Sequence, residues 1–150
     1  MKPLHLTRIA IIAALYVVIT YALQAASFFP AQFRAAEALT VLPIVFPEAI
    51  WGVFIGCFVA NPFSPAGLID VVLGSLTTLL AAYVTYYFRH SFIAYLSPIV
   101  FNALIVSAYL KVLAHLPYWA TALCIAASEA LVVLGLGYPL VWYLKRIGAK

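Results

Sequence analysis

Long apolar runs dominate this sequence and constrain its fold more than any other feature. Of its 150 residues, 67% are hydrophobic and 8% are charged, against about half and about a quarter in an average soluble domain. Eight basic and four acidic side chains cannot solvate so apolar a surface, which excludes a soluble, a disordered or a nucleic-acid-binding protein. We predict a single integral membrane domain over residues 1–150, a length that accommodates roughly six spans.

Prolines and turn-forming residues divide the chain into six apolar segments. They are predicted at 6–26, as two short helices within 35–60, and at 67–88, 92–114 and 119–144. Pro43 and Pro47 interrupt the second stretch. Its two helices would then contain only about 12 to 14 residues each, which is too short to cross a ~30 Å hydrocarbon core without support from neighbouring helices.

The distribution of basic residues decides between six spans and five. With six spans and a cytoplasmic N-terminus, the cytoplasmic side carries most of them, namely Lys2, Arg8, Arg89, Lys145, Arg146 and Lys150. The outer side carries only Arg34 and Lys111. Five spans would place most basic residues outside, against the positive-inside rule. We therefore predict an all-α integral membrane protein, a six-helix transmembrane bundle with both termini cytoplasmic and short second and third helices.

Hydrogen-bonding side chains concentrate in the outer half of this predicted bundle. The candidate substrate-binding residues lie near the outer ends of the segments or deeper within the last two, and are Gln24, Phe33, Arg34, Glu37, Asn61, Asp70, Asn102 and Glu129. An ionisable group inside a bilayer is costly, so its presence indicates a function by default. The asymmetry predicts a pocket that opens outwards.

Several of these residues also have a structural explanation. Glu37 lies in the first turn of a predicted helix, where it complements the helix dipole and can pair with Arg34. Asp70 also lies in a first turn, and Asn61 precedes a proline at an ordinary helix stop. Glu129 lies among alanines far from any helix end, so ligand binding or gating explains it better than a structural role.

No motif indicates catalysis, a metal or a cofactor. The three histidines are spread over both faces without an HExxH pattern, and Cys57 and Cys124 are interpreted as small core residues. No P-loop motif is present, so any ATP-driven step must come from a partner. A membrane enzyme would need a nucleophile and a base together, and a stand-alone carrier would show inverted repeats; the sequence displays neither.

Two stretches closely resemble the QueT family. The first reads QFRAAEALTVLP at 32–43, followed by FPEAI and GVFIGC, and the second reads GLIDVVLGSL at 67–76. The resemblance extends from Arg8 to about Tyr87 and is weaker in the last two segments. Members of this family are regarded as substrate-binding S components of energy-coupling factor (ECF) transporters that import queuosine precursors.

The resemblance implies an outward-facing site in a multi-pass protein of a bacterial cytoplasmic membrane. It implies a small-molecule substrate, a 7-deazaguanine such as the aminomethyl or cyano precursor or queuine, with another vitamin or nucleobase-like micronutrient as the alternative. The implied partners are a transmembrane coupling protein, contacted by an AxxxA pattern that Ala10 and Ala14 match, and two ATPase subunits. No enzymatic activity, metal, cofactor or nucleic acid is expected. Which of Glu37, Asp70 and Glu129 contacts which part of the ligand stays open.

Overall fold

The computed structural model describes residues 3–23, 33–64 and 66–148, and this part of the chain is a helical bundle without strands. Its segments in chain order are α1 (Pro3–Ala22), α2 (Ala35–Ile44), α3 (Ala49–Ala60), α4 (70–87), α5 (Ile93–Ala114) and α6 (Tyr118–Arg146). Six segments were predicted at nearly these positions. The all-helical class and the short second and third helices are therefore confirmed.

Three helices are long and apolar enough to cross a membrane by length and composition. They are α1, α5 and α6, with 20, 22 and 29 residues, and at about 1.5 Å per residue even the shortest of them reaches roughly 30 Å. Large apolar side chains on their outer faces, such as Leu123 and Leu131, are exposed. Cys124 lies on that same exposed side of α6. Its interpretation as a core residue is therefore wrong, whereas Cys57 is buried.

The short helix α2 occupies the centre of the bundle. It is a 3₁₀ helix, and all ten of its residues are buried. A 3₁₀ helix rises about 2.0 Å per residue, so ten residues extend about 20 Å, further than the same number in an α-helix. Helix α6 packs closely against it, because a Cβ atom at Gly137 would lie 2.8 Å from Val41 Cγ2. Packed neighbours thus surround the short helix on every side.

Helices α1 and α3 approach each other closely through two glycines. A Cβ atom at Gly52 would lie 2.8 Å from Ile12 Cβ, and one at Gly56 would lie 2.6 Å from Tyr16 Cβ. Small residues at this spacing let helix backbones come into contact in an apolar environment. The close approach directs the Tyr16 side chain into the interior, where it is 1% exposed.

Arginines at the end of the bundle where α1 begins are held by aromatic rings and one carboxylate. Arg8 donates to Glu48 Oε1 at 2.8 Å and lies 4.6 Å from the centre of the Phe46 ring. Arg89 and Arg146 likewise stack on aromatic rings. Burial opposes ionisation of Glu48, but the Arg8 hydrogen bond, a backbone hydrogen bond and the charge of Arg8 together outweigh it and hold the pKa of that carboxyl below its ordinary value.

Candidate functional site

Six of the eight predicted substrate-binding residues are buried in the bundle interior. They are Arg34, Glu37, Asn61, Asp70, Asn102 and Glu129, and none is more than 7% exposed. Phe33 is half-buried immediately before α2, and Gln24 lies outside the described residues. Arg34, Asn61 and Asp70 lie where α2 begins, α3 ends and α4 begins, so the topology brings them to one end of the bundle.

The first polar cluster forms around Asp70 and joins four helices. Arg34 Nη2 donates to Asp70 Oδ2 at 2.7 Å, and the Tyr109 hydroxyl donates to Oδ1. Asn61 Nδ2 donates to the Asp70 backbone carbonyl at 2.8 Å. The expected pairing of Arg34 with Glu37 is therefore wrong, because the ion pair is made with an acid 36 residues away. Both carboxylate oxygens of Asp70 are engaged.

Gly74 leaves the space that Asp70 occupies. A Cβ atom at Gly74 would lie 2.6 Å from Asp70 Oδ1 and 2.9 Å from Asn61 Nδ2. The carboxylate cannot retreat without stretching its bonds to Arg34 and Tyr109. Gly74, one turn after Asp70, therefore leaves the room in which the Asp70 cluster forms at the start of α4.

Replacing Gly74 by alanine is expected to lower the free energy of unfolding by roughly 1–2 kcal/mol, because the added methyl group overpacks the Asp70 cluster. Thermal unfolding of the purified protein in detergent measures the change. Gly135→Ala is the matched control, since Gly135 also lies in a π-helical turn but a Cβ there meets no atom within 4 Å. Equal unfolding temperatures for the two variants would contradict the packing role of Gly74.

The second polar cluster surrounds Glu37, in the first turn of α2. The Tyr16 hydroxyl donates to Glu37 Oε1 at 2.5 Å, and Thr78 Oγ1 lies 3.5 Å from the same oxygen. Glu37 Oε2 is buried without a hydrogen-bond partner among the described residues. A buried carboxylate oxygen ordinarily has a partner, so this one is an acceptor that the described residues leave unused.

Glu129 lies in the middle of α6 and is linked to Glu37 of α2 through Asn102. Asn102 Nδ2 donates to Glu129 Oε1 at 3.1 Å, and Asn102 also interacts with Glu37. The Asn102 side chain therefore lies between the two carboxylates. Within the described ranges Glu129 Oε2 also has no hydrogen-bond partner. The structure thus brings together two buried acids from different helices, each with one unused oxygen.

Departures from α-helical geometry accompany these residues. Asp70 and Asn102 each begin a π-helical turn, at 70–74 and 102–106, and a third turn at 133–137 follows Glu129. Turns of this kind frequently occur at functional sites because they redirect side chains. The irregular helices therefore point to the same interior region as the unused carboxylate oxygens.

Several residues of the two clusters were missed from the sequence. Cys57 Sγ accepts from Asn61 Nδ2 at 3.2 Å and lies 3.5 Å from Thr78 Oγ1, which connects the clusters. Tyr16 and Tyr109 orient Glu37 and Asp70. A tyrosine in the middle of an apolar span needs a partner for its hydroxyl, and this signal was present in the sequence.

The predicted partner-coupling residues lie on the outside of the bundle. Ala10 and Ala14 are both exposed on α1, while Ile9, Ile12 and Ala13 of the same helix are buried. The two alanines face away from the polar clusters. In the described part of the chain, no three histidine, cysteine, aspartate or glutamate side chains lie together as metal ligands.

Comparison with known proteins gives one family and one relative. The sequence model of the QueT transporter family matches residues 6–146. A protein of Lactococcus lactis subsp. cremoris (strain MG1363), described as "Queuosine precursor transporter QueT", is 40% identical over 81 residues, which cover 53% of this chain and 47% of that protein. The match therefore spans about half the length of this curated relative. No solved structure matches the chain.

Proposed function

We propose that this chain, which belongs to the QueT transporter family, is the substrate-binding S component of an ECF importer and captures a queuosine precursor of the 7-deazaguanine class. The observation that carries the substrate proposal is the pair of buried glutamates with one unpartnered oxygen each in the described interior. A 7-deazaguanine presents its N1–H and 2-amino donors side by side. Glu129 can accept such paired donors in bidentate fashion, because among the described residues its Oε1 accepts one hydrogen bond and its Oε2 accepts none.

The two clusters are assigned different tasks in this proposal. Glu37 and Glu129 contact the ligand. Asn102 donates a hydrogen bond to Glu129 and so orients its carboxylate. Arg34, Asp70 and Asn61 hold the beginning of α2 against α3 and α4, because the bonds of Asp70 are internal to the protein. Phe33 adjoins that cluster and supplies an aromatic face for a flat ring.

Copurification tests the assignment as an S component. The sequence contains no P-loop motif, so the energy for import must come from other subunits. Co-expressed with a transmembrane coupling protein and two ATPase subunits of an ECF module, the chain is expected to elute as one complex with all three. Elution of the chain without the module, while it still binds a deazaguanine, would contradict the S-component role and leave the substrate proposal standing.

The membrane orientation is proposed from the basic residues. The end of the bundle that carries Arg8, Arg89 and Arg146 is assigned to the cytoplasm by the positive-inside rule. Within the described bundle, turns of a few residues join α2 to α3, α4 to α5 and α5 to α6, so successive helices run in opposite directions. The Asp70 cluster then faces the outside.

Cysteine labelling in intact cells checks this orientation. The exposed native thiol is first removed by Cys124→Ala. Single cysteines are then introduced by Ser91→Cys, in the turn between α4 and α5, and by Ala114→Cys, at the last residue of α5. Only the cysteine at position 114 is expected to react with a membrane-impermeant maleimide, because its end of the bundle is external. Labelling at position 91 and protection at position 114 would reverse the proposed orientation.

A further inference from the structure

The buried charges of the described interior do not balance. Apart from Glu48, which pairs with Arg8 at one end of the bundle, three buried carboxylates lie there, on Glu37, Asp70 and Glu129, together with one buried guanidinium, on Arg34. Arg34 acts electrostatically on both glutamates, but its ion pair at 2.7 Å is with Asp70. If both glutamates were ionised, two negative charges would stand side by side in an interior from which water is largely excluded.

Two adjacent carboxylates in a dry site cannot both ionise unless a cation joins them, so such a pair retains one proton. The hydrogen bonds indicate where it rests. Glu37 accepts from the Tyr16 hydroxyl and lies beside Thr78, which favours its charged form. Glu129 accepts only the Asn102 amide among the described residues. The proton therefore resides mainly on Glu129.

The groups around the pair come from every neighbouring helix, and among the described residues Arg34 is the one cation that acts on both glutamates. The titratable and charged side chains are Tyr16 from α1, Arg34 before α2, Cys57 from α3, Asp70 from α4 and Tyr109 from α5. Tyrosine and cysteine side chains in an apolar interior are neutral near pH 7. The charge of the pair thus depends on the proton and on the ligand.

We propose that the empty site holds one proton on the Glu37–Glu129 pair and that a monocationic ligand displaces this proton when it binds. The inference rests on the proposed function and deepens it, since it selects among 7-deazaguanines the aminomethyl form, whose primary ammonium is charged near pH 7. The exchange balances, because the ammonium keeps its own proton while the carboxyl proton of the pair leaves to solvent. The buried net charge is then the same before and after binding.

A neutral ligand cannot make this exchange. The 7-cyano form has no cation, so it binds with the carboxyl proton still in place and gains no charge-assisted hydrogen bond between an ammonium and the two carboxylates. The site therefore discriminates two ligands that share the same ring by the charge of one substituent. Binding of the cation is also linked to pH, because it releases a proton. Over the pH range in which the ligand-free pair holds that proton, the affinity for the aminomethyl ligand rises with pH.

Calorimetric titration of the purified protein near pH 7 tests the exchange. Titrations with the aminomethyl and the cyano deazaguanine in phosphate and in Tris, buffers of low and high ionisation enthalpy, give the number of protons released. We expect about one proton released per aminomethyl ligand and none per cyano ligand, and at least about tenfold tighter binding of the aminomethyl form. In Glu129→Gln, the release is expected to disappear and the preference to fall below about threefold.

Glu48→Gln is the matched control, because it makes the same substitution in a glutamate that Arg8 holds at the other end of the bundle. This variant is expected to keep both the proton release and the preference. Binding of the aminomethyl form with no difference between the buffers would overturn the proton exchange and leave the proposed function intact. Equal affinity for the two ligands would overturn the preference for a cation, and binding of neither would overturn the proposed function as well.

Discussion

Glu129→Gln is expected to weaken binding of the aminomethyl 7-deazaguanine at least about tenfold, equivalent to about 1.4 kcal/mol or more, and up to about hundredfold. The substitution keeps the size of the side chain but replaces an acceptor oxygen by a donor amide, which cannot pair with a cation. It also removes an ionisable group from an apolar interior, where Glu129 is 2% exposed. We therefore expect the free variant to unfold at the same temperature as the parent or higher.

Calorimetric titration and thermal unfolding of the purified variants measure these two effects. Glu37→Gln is expected to weaken binding as well, while its bond from Tyr16 is kept by the amide oxygen. Glu48→Gln controls for the loss of a buried carboxylate elsewhere. If Glu129→Gln bound the ligand normally and lost stability, the glutamate would be a structural partner within the bundle, and the site would have to be rebuilt around Glu37 and Asp70.

Replacing both Ala10 and Ala14 by leucine is expected to abolish uptake by the assembled transporter while leaving ligand binding to the isolated protein unchanged. Both alanines are exposed on α1, and their small side chains allow a partner helix to approach the backbone closely. Two leucines would separate the helices. The polar clusters face the bundle interior, so they are not disturbed. Uptake of labelled substrate by cells measures transport, and calorimetry on the purified variant measures ligand binding.

Ala120→Leu serves as the control for this double variant. Ala120 is also an exposed alanine of a long helix, near the beginning of α6. Uptake by Ala120→Leu is expected to equal that of the parent. If the Ala10 and Ala14 substitutions weakened ligand binding as much as uptake, the two alanines would serve the packing of the bundle, and the partner surface would lie elsewhere.

The helices were predictable because their signals are local. Apolar runs and prolines located all six segments, and Pro47 lies in the break between α2 and α3, whereas Pro43 lies inside α2. The 3₁₀ geometry of α2 was not predictable from such signals. It is stabilised by burial of all ten residues among the other helices, and Gly137, almost 100 positions later, supplies part of that environment.

The polar residues of the interior were predictable from the sequence, but their pairings were not. The cost of ionisable groups in an apolar interior identified Glu37, Asp70 and Glu129. Sequence spacing then suggested the wrong partner for Arg34, since a local pair at three residues competes with a distant acid that only the fold brings near. The unused oxygens that distinguish Glu37 and Glu129 from Asp70 depend on contacts between helices, which a single sequence does not contain.

Mass spectrometry of the small molecule that copurifies with the protein identifies the ligand itself. We expect a 7-deazaguanine, with the mass of the aminomethyl form, bound to the parent and to Glu48→Gln and depleted from Glu129→Gln. The measurement requires no prior choice of ligand, because the protein selects it from the cell. A micronutrient without paired N–H donors or a cation, retained equally by the parent and by Glu129→Gln, would contradict both the substrate class and the role of the glutamate pair.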